Sequence, residues 1–249
     1  MGRMPRIASY SLEELASLRF RVEEGLKDCG NFQEASQKFL DVLYEELSAS
    51  AVLFRVFATV DFEKLPAKEK AFVLDIASAR GFVDKVAGKT RVVTLLASRG
   101  KRGPWNDRHR SERHLAIPLT NASFIKTIPM VSRLMGDMDT GLEWVDRQKT
   151  NMIVTSMGQM ARVLYVEDAQ RSRTTDGFEV IPDRRFVTEN NVRTVIGLGG
   201  AYLNRTIVAV LLFTSELIPR DRVERLMPVV HSFKVATMKS VMQGRIFPP

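Results

Sequence analysis

Apolar residues are densest over residues 192–218, VRTVIGLGGAYLNRTIVAVLLFTSELI. Two apolar runs bounded by turn residues predict a β-hairpin. Val192–Gly197 is expected as its first strand and Ile207–Thr214 as its second, with Gly199, Gly200 and Asn204 in the connection. The run IVAVLLF is apolar at every position, so both faces of that strand should be buried at the centre of a sheet. Pro219 then ends the strand and is suited to open a helix.

Helical spacing dominates the first fifty residues. Ser11 and Glu14 have capping-box spacing, and Leu15, Leu18, Val22 and Leu26 follow as a narrow apolar stripe. Gly30 is expected to end this helix, and Asn31 with Glu34 to cap a second that turns Ala35, Phe39, Val42 or Leu43, and Leu47 inward. Ala51–Val60 predicts a strand. A third helix should open at Pro66 and end at Gly88, with Phe72, Val73, Ile76 and Val83 inward and Gly81 as a candidate break. Arg91–Ala97 predicts a further strand, and His114–Leu119 a short one at a sheet edge. Between them, SRGKRGPWNDR has loop composition.

Further on, Phe124, Ile125, Ile128, Val131, Leu134, Met135 and Met138 recur at helical spacing, with a kink expected at Pro129. Gly136–Thr150 is a polar connection and Ala161–Glu167 a strand. Asp168–Asn191 is a long charged loop with a short strand over Phe178–Ile181. Pro219–Val241 is one apolar helix bent at Pro228. The order of these elements predicts an α+β fold around a mostly antiparallel sheet, with N-terminal helices.

Composition changes this picture little. Of 249 residues, 45% are hydrophobic, enough for one sizeable core. The single cysteine, Cys29, excludes an internal disulfide and fits a reducing compartment. No signal peptide or membrane-length apolar run is evident, so a cytoplasmic protein with no membrane partner is expected. The formal net charge is +8, and the cations concentrate over residues 99–113. A nucleic-acid-associated regulator is one reading of that segment; solubility is the favoured one.

Motifs for chemistry are sparse. Gly197-Leu-Gly-Gly lacks the third glycine of a dinucleotide loop and is followed by a strand, not a helix. Cys29 has no histidine near it in sequence, and His109 and His114 have no further metal-ligand partner. The segment WNDRHRSERHLAIPL is the best recognition candidate. It offers Trp105 for stacking, Arg108 for an anion, and Ser111 and His114 for hydrogen bonds, with Phe124 and Ile128 as an apolar wall. The competing reading is a solvated loop that Trp105 anchors to the core.

The run from Val192 to Pro219, preceded by ARVLYVEDAQRS and followed by an apolar helix, resembles the C-terminal half of a GAF-type sensor domain. WNDRHRSERHLAIPL and IKTIPMVSRLM resemble stretches of GAF-like input regions in bacterial signalling proteins. The resemblance runs from about Asn31 to Val241. It implies a central antiparallel sheet of about six strands (a GAF/PAS-like architecture) and a pocket beside the sheet. On this basis residues 1–30 are a helical dimerisation element, and residues 31–249 one GAF-like domain with a helical insertion at 66–88. The expected role is a non-catalytic sensory domain of signal transduction, a homodimer binding a small molecule or a signalling protein. No cyclic-nucleotide signature is recognisable, so no ligand or cofactor identity carries over.

Overall fold

The computed structural model describes residues 5–120, 162–172, 180–181 and 183–249. Its centre is a six-stranded sheet in the order β3-β2-β1-β6-β5-β4, antiparallel throughout. The strands are β1 (Ala51–Asp61), β2 (Arg91–Gly100), β3 (Ala116–Pro118), β4 (Arg162–Val166), β5 (Val195–Ala201) and β6 (Ile207–Thr214). The six-stranded α+β architecture expected from the sequence is therefore present. β6 is central, as its unbroken apolar run requires, and pairs with β1 on one side and β5 on the other.

Alternation along the central strands creates two apolar layers. Phe54, Val56, Ala58 and Val60 of β1 face one side with Val208, Val210 and Leu212 of β6. Leu53 and Phe57 face the other with Ala209, Leu211 and Phe213.

The first side is covered by α1 (Leu12–Gly25), α2 (Phe32–Leu47) and the C-terminal helix α6 (Met227–Met242). The α1 capping box is formed: Glu14 N–H donates to Ser11 Oγ at 3.1 Å, and Ser11 N–H to Glu14 Oε2 at 2.7 Å. Asn31 caps α2 by accepting from Glu34 N–H at 3.0 Å. The first two N–H groups of α2 donate to the carbonyls of Arg245 and Ile246 at 2.9 and 2.8 Å. The C-terminal tail thus satisfies donors that a helix start otherwise leaves without partners.

An aromatic column ties the layer together. Phe39 stacks on Phe233 at 4.3 Å between centroids, and Phe32 meets Phe233 and Tyr202 at 5.8 Å each. Leu15, Leu18, Val22 and Leu26 are buried in the same core. That stripe is occupied by the chain's own helices and is not a free surface for a second copy.

Several local expectations are corrected. β5 runs from Val195 through Gly199 and Gly200, which pair with Ala209 and Val208 instead of forming the connection. Ladder pairing with β6, and for Gly199 with β4 as well, holds those glycines extended, and the turn falls on residues 202–206. α1 ends at Gly25, five residues before Gly30. α3 (Ala67–Ala79) ends well before Gly88: Gly81 adopts φ +69° and stops it, so Phe82 goes inward and Val83 is exposed. The expected 168–191 loop contains α4 (Arg184–Glu189), capped by Asp183 accepting from Phe186 N–H at 2.9 Å. The last helix is two: α5 (Arg220–Glu224) and α6, with Pro228 in the first turn of α6. Proline is well placed there because first-turn N–H groups have no helical acceptor.

The helix predicted over Phe124–Met138, the Pro129 kink, the connection Gly136–Thr150 and residues 178–179 of the expected short strand lie outside the described residues.

The aromatic column yields one expected outcome. Phe39→Ala should lower unfolding stability by about 3–5 kcal/mol in a urea titration, since it removes a fully buried ring with little room for collapse.

Candidate functional site

The two sides of the sheet differ in what covers them. Among the described residues, the second side is met by Val180, Ile181, α4 and Trp105. The Trp105 ring meets Phe186 edge-on at 5.6 Å, and Phe186 meets Phe213 at 5.3 Å. Ser98 Oγ donates to the Trp105 carbonyl at 2.6 Å, and Asn106 Oδ1 accepts from Gly100 N–H at 2.8 Å. Gly100 permits this approach: a Cβ there would lie 2.9 Å from the indole. Trp105 is therefore the anchor that brings the basic segment onto the second side of the sheet.

Arg108 and Ser111 turn elsewhere. Arg108 is buried, its Nη1 2.6 Å from Oε1 of the fully buried Glu69 on α3, and it donates to the Leu95 carbonyl at 2.9 Å. His109 Nε2 lies 3.3 Å from the same carboxylate. The Arg108 guanidinium is thus committed to the protein's own groups. Ser111 lines an open groove of ≈ 620 Å³ between α3 and the 104–115 segment, with Lys68, Phe72, Asp75, His109 and Glu112.

His114 is on the second side, where it feels the charges of Arg55, Arg113 and Asp183. Burial, reinforced by the two arginines, pushes its pKa down from 6.5 to about 4. Trp105 and His114 thus belong to the second side, while Arg108 turns to the buried Glu69 and Ser111 to the α3 groove. Phe124 and Ile128 lie outside the described residues.

Two residues here escaped the sequence reading. Glu69 sits in a charged helix start, PAKEK, where a carboxylate ordinarily faces water. Arg55 interrupts the apolar run AVLFRVFATV, and that interruption was its visible signal. It shares the face of Leu53 and Phe57, opposite Leu211 and Ser98 on the neighbouring strands. Its Nε is buried without an acceptor, and burial pushes its pKa down to about 10.

Most cations of the 99–113 segment have anionic neighbours. Arg99 pairs with Asp41 at 3.4 Å, Arg110 with Asp107 at 3.8 Å and Arg113 with Asp183 at 3.7 Å. Arg102 lies over the Trp105 ring at 5.1 Å. Cys29 is part-buried, and its thiol pKa is raised chiefly by burial. Among the described residues no three His, Cys, Asp or Glu side chains gather as a metal site, and no helix is long and apolar enough to cross a membrane.

No family model and no curated protein matches the chain. Solved structures do. The free methionine-R-sulfoxide reductase of Neisseria meningitidis, in complex with its substrate, is similar with TM-score 0.50 and 9% identity, over 98% of this chain and 99% of that one. The GAF domain of an Acinetobacter phosphoenolpyruvate-protein phosphotransferase gives TM-score 0.48 and 10% identity, over 96% of this chain and 100% of that one. The phycoerythrobilin-bound GAF domain of a cyanobacterial phytochrome gives 0.46 and 10%, over 94% and 98% respectively. At such identities the likeness is one of fold, and it makes this chain structurally similar to GAF domains over nearly its full length.

Two outcomes follow from the charged groups. Glu69→Gln should cost about 3–5 kcal/mol in urea unfolding by leaving Arg108 buried against a neutral group, whereas Glu69→Met with Arg108→Met should be close to neutral. His114 has a folded pKa below its unfolded one, so its neutral form is the one the fold accommodates. Its contribution is complete above pH 6.5 and is lost as pH falls toward 4. Thermal melts between pH 7 and 5 should show this loss, and His114→Gln should flatten it.

Proposed function

We propose that this protein is a non-catalytic sensory or regulatory domain of the cytoplasm that binds a small molecule on the second side of its sheet. The observation that carries this reading is the mechanical link between the hairpin and the C-terminal helix. Tyr202 Oη and Thr237 Oγ1 are 2.7 Å apart, Lys234 Nζ donates to the Ala201 carbonyl at 3.1 Å, and Asn204 Nδ2 donates to the Val241 carbonyl at 3.0 Å. β5 and β6 form part of the second side, so a ligand there acts on strands whose turn is fastened to α6. Such a ligand shifts the helix only by binding two arrangements unequally.

Two further observations support it. The fold is shared with a reductase whose structure contains its substrate. A route that ends in a disulfide within one chain needs two cysteines, and this chain has one. The pairing of Arg99, Arg110 and Arg113 with carboxylates leaves fewer cations for phosphates and weighs against the nucleic-acid reading. Self-association, where it occurs, uses the outward residues Leu12 and Phe20 of α1 with Val235 and Met242 of α6, all exposed.

Native mass spectrometry of the purified full chain tests the reading. A retained small molecule, with slowed amide exchange in β6 and α6 when it is present, is the expected result. Ligand binding without any change in α6 would remove the signalling part of the reading. The same spectra report the subunit number.

A further inference from the structure

Arg55 occupies an expensive position. It lies in the middle of β1, between the strands of a six-stranded sheet, on the face shared with Leu53, Phe57, Leu211 and Phe213. Among the described residues no carboxylate comes within ion-pair distance of it, and its buried Nε finds no acceptor. Unpaired charge in such surroundings is strongly disfavoured, so natural interiors pair it or neutralise it. An apolar residue would serve the sheet better than arginine does.

Its surroundings match one kind of occupant. His114 lies near enough to feel the Arg55 charge. Arg113 and Asp183, whose charges also reach His114, form a pair at 3.7 Å. Arg55 is therefore a strand cation with no carboxylate partner among the described residues. Beside it β5 contributes no side chain at Gly197 and Gly199, and β6 only a methyl at Ala209. Glycine within a strand suits a site where a ligand or another backbone approaches closely.

We infer that the second side of the sheet binds a small organic monoanion, a carboxylate with an apolar body, gripped by the Arg55 guanidinium. The guanidinium fork matches a carboxylate's two oxygens. Phe57, Leu211 and Phe213 supply the apolar surface for the ligand's body. One positive charge balances a monoanion and leaves a phosphate dianion under-neutralised. This inference rests on the sensory reading above and names the chemistry of its ligand.

The test uses the full-length protein with benzoate, its neutral isostere benzamide, and inorganic phosphate, each titrated by ligand-observed NMR. Benzoate should bind about tenfold or more tighter than benzamide, and phosphate should not compete. Arg55→Met should abolish the preference for benzoate while raising the melting temperature of the ligand-free protein, because it removes an unpaired buried charge. Equal binding of benzoate and benzamide would overturn the anion inference and leave the sensory reading standing. Preference for phosphate, a destabilised Arg55→Met variant, or no binding of benzoate at millimolar concentration would each overturn it too. Failure of the sensory reading registers separately, as an unchanged α6 when a retained ligand is present.

Discussion

The pairing of β1 with β6 is the constraint on which the rest of the molecule depends. Both strands are apolar on both faces, so neither tolerates a solvent-facing side. Placed together at the middle of the sheet, they require a covering layer above and another below. The first layer is supplied by α1, α2 and α6, from the two ends of the chain. Burial of that layer brings α1 and α6 together, and carbonyls of the C-terminal tail then accept from the first N–H groups of α2.

The two layers do different work. The helical side is dense and aromatic, with Phe32, Phe39 and Phe233 fully buried. The opposite side admits Arg55, a part-buried histidine and two strand glycines, all of which weaken a purely structural layer. Departures from local consistency concentrate where a fold has a task beyond its own stability. The hairpin crosses between these sides: its strands belong to both, and its turn is hydrogen-bonded to α6.

Charge follows the same division. Glu69 and Arg108 hold α3 to the 108–110 turn as a buried pair, and the surface arginines of the basic segment are mostly turned toward carboxylates. Their clustering in sequence therefore does not become a basic surface of the same strength. Arg55, by contrast, stands alone in an apolar run, and among the described residues it has no carboxylate partner and its buried Nε has no acceptor.

Much of the fold was legible from local patterns. The cap residues Ser11 and Asn31, the β6 run and the turn at Gly81 act through neighbours in sequence, so the chain by itself determined them. The α+β class and the central place of β6 follow from periodicity and from unbroken apolarity. Other features depend on partners distant in sequence. Gly199 joins a strand because ladders on both sides hold it extended, and Gly200 follows through its pairing with β6, against their turn propensity. Arg108 pairs with Glu69 and Arg113 with Asp183 across separations that no motif encodes. The candidate loop was one stretch in sequence, but tertiary structure divided it: Trp105 and His114 went to the sheet's second side, Arg108 to the buried Glu69 and Ser111 to the α3 groove. Periodicity and capping are written locally, whereas the direction of a charged side chain depends on which distant group can offset its loss of water.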